Sequence, residues 1–320
     1  MLGPMAMQRS GWLVRLAAVG GVLACMVLPA GTSANGAAQG QRVGHVWTIA
    51  SDLDIGTGGL ELGRDGSLYV SDFGTRLSGG VPGTRVLRIR PNGAVETFAT
   101  GFRGATGSVL LDDGRFVQAN IASHSLSIVT PGGKVTPFVT EGLRGPVGIA
   151  RGSAGDFFVA NCGSDTVSHV TSTGQVRLFA EGPLFRCPNG IVRAADGDLY
   201  VSNFYNGDVI RVKPDGISER LVTLPGNNNG HLTAGADVLY VAGRKANQIF
   251  EVGLTGSFRV IAGSGVRGQT DGAAAMATLS LPNDLALSVD GRTLYFNEVG
   301  SVGPDDQVLT PTTVRALRLR

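Results

Sequence analysis

The chain has 320 residues, 42% of them apolar and 16% charged, a composition that excludes a disordered protein. Its 27 basic and 25 acidic residues give a formal net charge of +2, and with no run of Lys or Arg nothing marks nucleic acid as a partner. The 49 glycines are about twice ordinary usage and fall singly, as DG, NG and TG, between apolar runs, so the class expected is all-β with tight turns.

Residues 1–34 read as a secretory signal. Arg9 and Arg15 precede an apolar run over 16–28, and small residues follow, with Thr32 and Ala34 placed for cleavage. The run is shorter than the roughly 20 residues a membrane span needs. The stretch from Val22 to Cys25 also permits lipid attachment at Cys25, but Met26, Val27 and Leu28 prolong the apolar run and favour cleavage beyond it. A short linker, 35–41, follows. The expected location is secreted or periplasmic, and the expected state monomeric.

From residue 42 onward one phrase recurs. CPNGIVRAADGDLYVSNF (187–204) returns as LPNDLALSVDGRTLYFNEV (281–299), and looser copies place Leu68, Phe116, Phe157, Leu199, Leu239 and Leu294 at equivalent positions. A period near 40 residues, made only of short strand-like runs, is the length of a four-stranded propeller blade. Six such units are present, the last of which ends after a third strand. Its fourth is supplied by 42–53, so the fold expected over 42–320 is a six-bladed β-propeller closed by its N-terminal strand, with no open sheet edge.

Strand reversal sorts the turns onto two faces. The DG turns between first and second strands share what we call the lower face with the third-to-fourth turns. The upper face holds the loops leading into each first strand and the second-to-third turns. First strands line the axis, so Asn189, Asn229 and Asn283 are expected at the upper mouth of a polar channel. Asp72, Asn120, Asn161, Asn203 and Glu298 end the second strands on the same face, with Gly243 in the fifth unit. Asp and Asn at strand ends also cap turns through their side-chain oxygens, so the ring has a structural reading beside a functional one. Arg186 and Tyr205 join Asn120, Asn161 and Asn203 as candidate substrate-binding residues. His124 lies on this face without an evident partner. Cys162 and Cys187 fall on the upper face of adjacent units, which in an oxidising compartment predicts a disulfide between them.

Within 262–300 the run AGSGVRGQTDGAAAMATLSLPNDLALSVDGRTLYFNEVG resembles an NHL repeat. The other units more loosely resemble the senescence-marker-protein/gluconolactonase, paraoxonase and strictosidine-synthase-like propellers. The resemblance spans about 42–320 and carries the fold more firmly than any chemistry, because such propellers include lactonases, lyases and plain binding platforms. In the gluconolactonase-like group an Asn leading into a blade holds a divalent metal, Ca²⁺ being the expected one here, and Asn189 matches it. Asn229, Asn283 and Asp284 complete the candidate ligands. Gly58 and Gly59 stand where that group has a glutamate. Streptogramin-lyase-like propellers pair blade-leading histidines with a glutamate, which His231 and Glu298 match, making these two the candidate catalytic residues. The resemblance thus implies metal-assisted hydrolysis or elimination on a small oxygenated molecule such as a lactone, with no organic cofactor. The rival is a non-catalytic ligand- or protein-binding platform, favoured by Phe73, Phe185, Phe204 and Tyr205 near the mouth.

Overall fold

The computed structural model describes residues 42–320, so the expected signal and linker lie outside the described residues. Six antiparallel sheets form a six-bladed propeller. Blade one is the meander Thr57–Leu62, Leu68–Asp72, Arg85–Ile89 and Val95–Thr100, and the next four blades repeat it. Their axial strands are Ala105–Leu110, Pro146–Arg151, Pro188–Arg193 and Leu232–Ala234; that of blade six is Leu285–Leu287.

The recurring DG has a local cause. Asp196 Oδ1 accepts the amide of Asp198 at 3.1 Å while Gly197 takes φ +90°, a conformation that glycine adopts without steric penalty. Asp65, Asp113, Asp215 and Asp290 make the same bond to the residue two places on, so each hairpin is closed by its own side chain.

Closure follows the expected route. His45–Leu53 pairs antiparallel with Thr312–Arg318, with Val46 opposite Leu317, and becomes the fourth strand of blade six. Gly272–Ala273 adds a short fifth strand outside it. One apolar cluster fills each gap between adjacent blades. The gap where the ring closes holds Leu53, Ile55, Leu60, Val70 and Val314 and is built like the rest. Each buried Leu, Ile or Val adds about 1.5–3 kcal/mol, so the termini are held as firmly as any internal neighbours. Phe185, expected at the mouth, belongs to the core between blades three and four. It faces inward because Ile191 and Val201 complete an apolar wall there.

On the upper face a repeated clamp joins neighbouring blades. His124 Nδ1 accepts the Gly145 amide at 2.9 Å, Asp165 Oδ1 that of Cys187 at 2.6 Å, and Asn247 Oδ1 that of Leu281 at 3.1 Å. All six residues hold φ between 51° and 56°. Cys162 and Cys187 form the expected disulfide, with Cα atoms 3.8 Å apart across blades three and four. No helix among the described residues is long and apolar enough to cross a membrane.

Candidate functional site

The six axial strands come closest at one plane. There blades one to five present Gly59, Gly107, Gly148, Gly190 and Gly230, and blade six presents Asp284. A Cβ on any of the five glycines would lie within 3.0 Å of the next blade, at Thr106, Val147, Asn189, His231 and Asn283 in turn. The blades therefore pack backbone against backbone around the axis at this plane. Above it, the side-chain amide of Asn189 donates to the Asn229 carbonyl at 3.3 Å and that of Asn283 to the Gly58 carbonyl at 2.8 Å.

Below the plane the axis widens into a cavity of about 340 Å³ that opens on the lower face, where Val289 stands 98% exposed at its rim. Its polar lining comprises Glu61, Ser108, Arg151, Arg193, His231, Thr233 and Asp284. Asp284 is buried against that plane: Oδ2 accepts the Leu60 amide at 2.8 Å and Oδ1 its neighbour Leu285 at 2.7 Å. His231 Nδ1 lies 3.5 Å from Asp284 Oδ2. Burial raises the Asp284 carboxyl above its ordinary range, while His231 and the two amides pull it back. Burial, then the charge of Asp284, pushes the Glu61 carboxyl up to about 8. Near neutral pH, Glu61 thus carries a proton in a site that also holds the side chains of Asp284 and His231. A carboxyl raised by its surroundings, in the same cavity as a second carboxyl and an imidazole ring, is an arrangement suited to proton transfer. At the rim, Arg151 is paired with Asp112 through two bonds, and Arg193 bonds only Gly197 O among the described residues.

The candidate residues read from the sequence divide between these two levels. His231 and Asp284 come together in the cavity. Asn189, Asn229 and Asn283 sit above the plane, and Asn229 turns its amide to Asp208 O. Asp284, directed at Leu60, lies apart from them, so the four candidate metal ligands do not converge and we derive no step through a metal. Among the described residues no group of three or more His, Cys, Asp or Glu side chains could hold one. Glu298 ends its second strand as expected but points into blade six. It is fully buried against Arg315, with Nη1 to Oε1 at 3.0 Å, and accepts the Ser280 amide at 2.9 Å. Burial still pushes it up to about 7. Arg315 also binds Asp271 at 2.8 Å, so this pair fastens the loop ahead of blade six. Asn120, Asn161 and Asn203 are buried and donate to Ser127, Ser168 and Leu184 respectively; only Asn161 caps a turn through its oxygen, which accepts the Arg144 amide at 3.3 Å, while the oxygens of Asn120 and Asn203 are buried without a partner among the described residues. Tyr205 and Arg186 are exposed on the upper face.

Glu61 was not singled out from the sequence. It sits two residues beyond the Gly59 position, where its hydrophobic neighbours Leu60 and Leu62 make it resemble an ordinary strand residue. The available signal was a lone carboxylate in an axial strand whose equivalents are Val109, Ala150, Val192, Leu232 and Ala286. A larger groove of about 730 Å³ follows the outer edge of blades five and six; of its two acids, Asp237 and Glu251, the latter is paired with Arg259.

No protein-family model and no curated protein matches the sequence. Solved structures do. A gluconolactonase from Xanthomonas campestris is similar with TM-score 0.64 and 15% identity over 90% of this chain and 94% of its own. A streptogramin B lyase gives 0.61 and 16% over 86% and 98%, and a Bacteroides thetaiotaomicron protein of unknown function 0.68 and 14% over 85% and 75%. At these identities the likeness is one of fold: the chain shares the six-bladed propeller architecture of gluconolactonase-like and streptogramin-lyase proteins.

Proposed function

We propose that this protein is an exported propeller enzyme whose lower axial cavity hydrolyses a small oxygenated molecule of the lactone class. The observation that carries the reading is the His231–Asp284 pair in a cavity that Glu61 also lines and that is large enough for one sugar-sized ligand. Asp284 orients the imidazole, and His231 takes a proton from water as the water oxygen adds to the lactone carbonyl carbon. The ring C–O bond then breaks. Glu61, protonated near neutral pH, gives its proton to the departing alkoxide, and the imidazolium restores that proton as the hydroxy acid leaves. The disulfide supports an oxidising compartment and hence export. The structural likeness to a gluconolactonase and to lyases supports the reaction class.

Purified protein assayed for acid release against a series of hydroxylated γ- and δ-lactones tests the reading. Turnover is expected, with Glu61→Gln and His231→Ala each lowering kcat about 100-fold or more while the protein stays folded. Absence of turnover across the series, or full activity in both variants, rules the cavity out as a lactonase site.

A further inference from the structure

The upper face carries a feature that the axial site does not use. Arg103, Arg144 and Arg186 occupy the same position in the loops leading into blades two, three and four, one residue before Gly104, Gly145 and Cys187. Each is held by an equivalent backbone bond: the carbonyl of Arg103 accepts the Ala122 amide at 3.1 Å, that of Arg144 the Gly163 amide at 3.1 Å, and that of Arg186 the Tyr205 amide at 3.3 Å. Equivalent anchoring sets the three side chains out along an arc, one blade apart. All three are exposed, and none has a side-chain hydrogen bond or ion pair among the described residues. Elsewhere on this face the cations are matched, Arg76 by Asp305 and Lys245 by Asp306.

Both ends of the arc are apolar. Beside Arg103 a pocket of about 230 Å³ is walled by Phe73, Leu77, Val81, Pro82 and Ile121. Beside Arg186, Tyr205 stands 69% exposed with its ring 5.4 Å from that of Phe204. The disulfide stiffens the arc, since Cys162 adjoins the Gly163 that holds Arg144 and Cys187 adjoins Arg186.

From this arrangement we infer that the upper face binds an acidic protein segment carrying apolar side chains. Guanidinium groups present planar donor pairs that match carboxylates, and three in a row reward a chain with repeated acidic residues. The terminal pocket and the exposed tyrosine require side chains that an acidic polysaccharide does not have. Steering by the arc makes association fast at low salt and weaker as salt rises.

The test uses the purified protein and a fluorescently labelled random copolymer of glutamate and tyrosine, with poly-glutamate and heparin as comparison probes. Binding of the copolymer is expected to exceed that of poly-glutamate and of heparin and to weaken with salt. The combined variant Arg103→Gln, Arg144→Gln, Arg186→Gln is expected to lose about 30-fold in affinity with an unchanged Tm. The combined variant Arg64→Gln, Arg90→Gln, Arg115→Gln, with the same net charge and its changes on the lower face, is expected to bind like the parent. Equal loss in both variants would reduce the effect to overall charge, tighter binding of heparin would assign the face to polysaccharide, and no copolymer binding would leave the arc without a partner. Each of these outcomes overturns the proposal.

Discussion

The two ends of the propeller axis are built from the same repeat and end differently. Above the plane of Gly59, Gly107, Gly148, Gly190 and Gly230, asparagine side chains lace one blade to the next. Below it, the same strands diverge around a cavity lined by Glu61, Asp284 and His231. Topology treats the two ends alike. Which one opens depends on where side chains stop fitting, and six neighbouring strands settle that together. Strand order alone therefore does not fix which side of the disc carries the cavity.

Giving one plane glycine a methyl group is the most forceful way to disturb this division. At Gly190 a Cβ would sit 2.6 Å from His231 Cα and 2.7 Å from the Leu232 amide nitrogen, and a backbone neighbour cannot swing aside. Gly190→Ala is expected to destabilise by about 3 kcal/mol, as overpacked cores do, and to displace His231 from the cavity wall. Gly93→Ala is the reference: φ is +84° with open space around it, so only the left-handed backbone is penalised, by about 1 kcal/mol. Urea unfolding of both variants measures the difference, and equal losses would mean the plane is not tightly packed.

A finer probe asks whether the lower cavity behaves as a desolvated acid site. Glu61 is raised to about 8 in the folded chain from an ordinary value of 4.5, so between those pH values the native state holds more protons than the unfolded state. Stability contributed by this group is then complete at low pH and falls as pH rises toward 8. Glu298, raised to about 7, acts in the same direction. Tm should decline from pH 5 to pH 8 in the parent, and Glu61→Gln should make the decline shallower, melting about 3 °C higher than the parent at pH 8. An unchanged slope would place Glu61 in water.

Much of the fold was legible because it rests on local rules repeated six times. The Asx bond of each DG turn and the strand-like runs around it are short-range, and the split blade showed in the missing fourth strand. The disulfide was legible for the same reason, since topology alone set its two loops side by side. The candidate site was legible only in part. His231 is legible as a blade-leading histidine and Asp284 as a candidate metal ligand, whereas Glu298, legible as a longer carboxylate, is held by Arg315. That pairing joins strands of the same sheet, yet nothing at the level of the repeat announces which arginine faces inward. Glu61 was hidden because its significance comes from Asp284, 223 residues away and adjacent only through ring closure.

The smallest effect is expected at the upper-face clamp. His124, which showed no partner in sequence, accepts the Gly145 amide through Nδ1, and that amide is buried. Removing the acceptor leaves a buried donor unpaired and also replaces His, which is enriched in the left-handed region, by Ala, which is not, at φ 55°, so His124→Ala should lose about 1 kcal/mol in urea unfolding. His124→Asn should lose little, because Asn247 performs this task two clamps further round the ring and asparagine tolerates the left-handed region. If the two variants lose equally, the clamp acts through ring packing and not through its hydrogen bond, and the upper face is held together by the asparagine lacing and the disulfide alone.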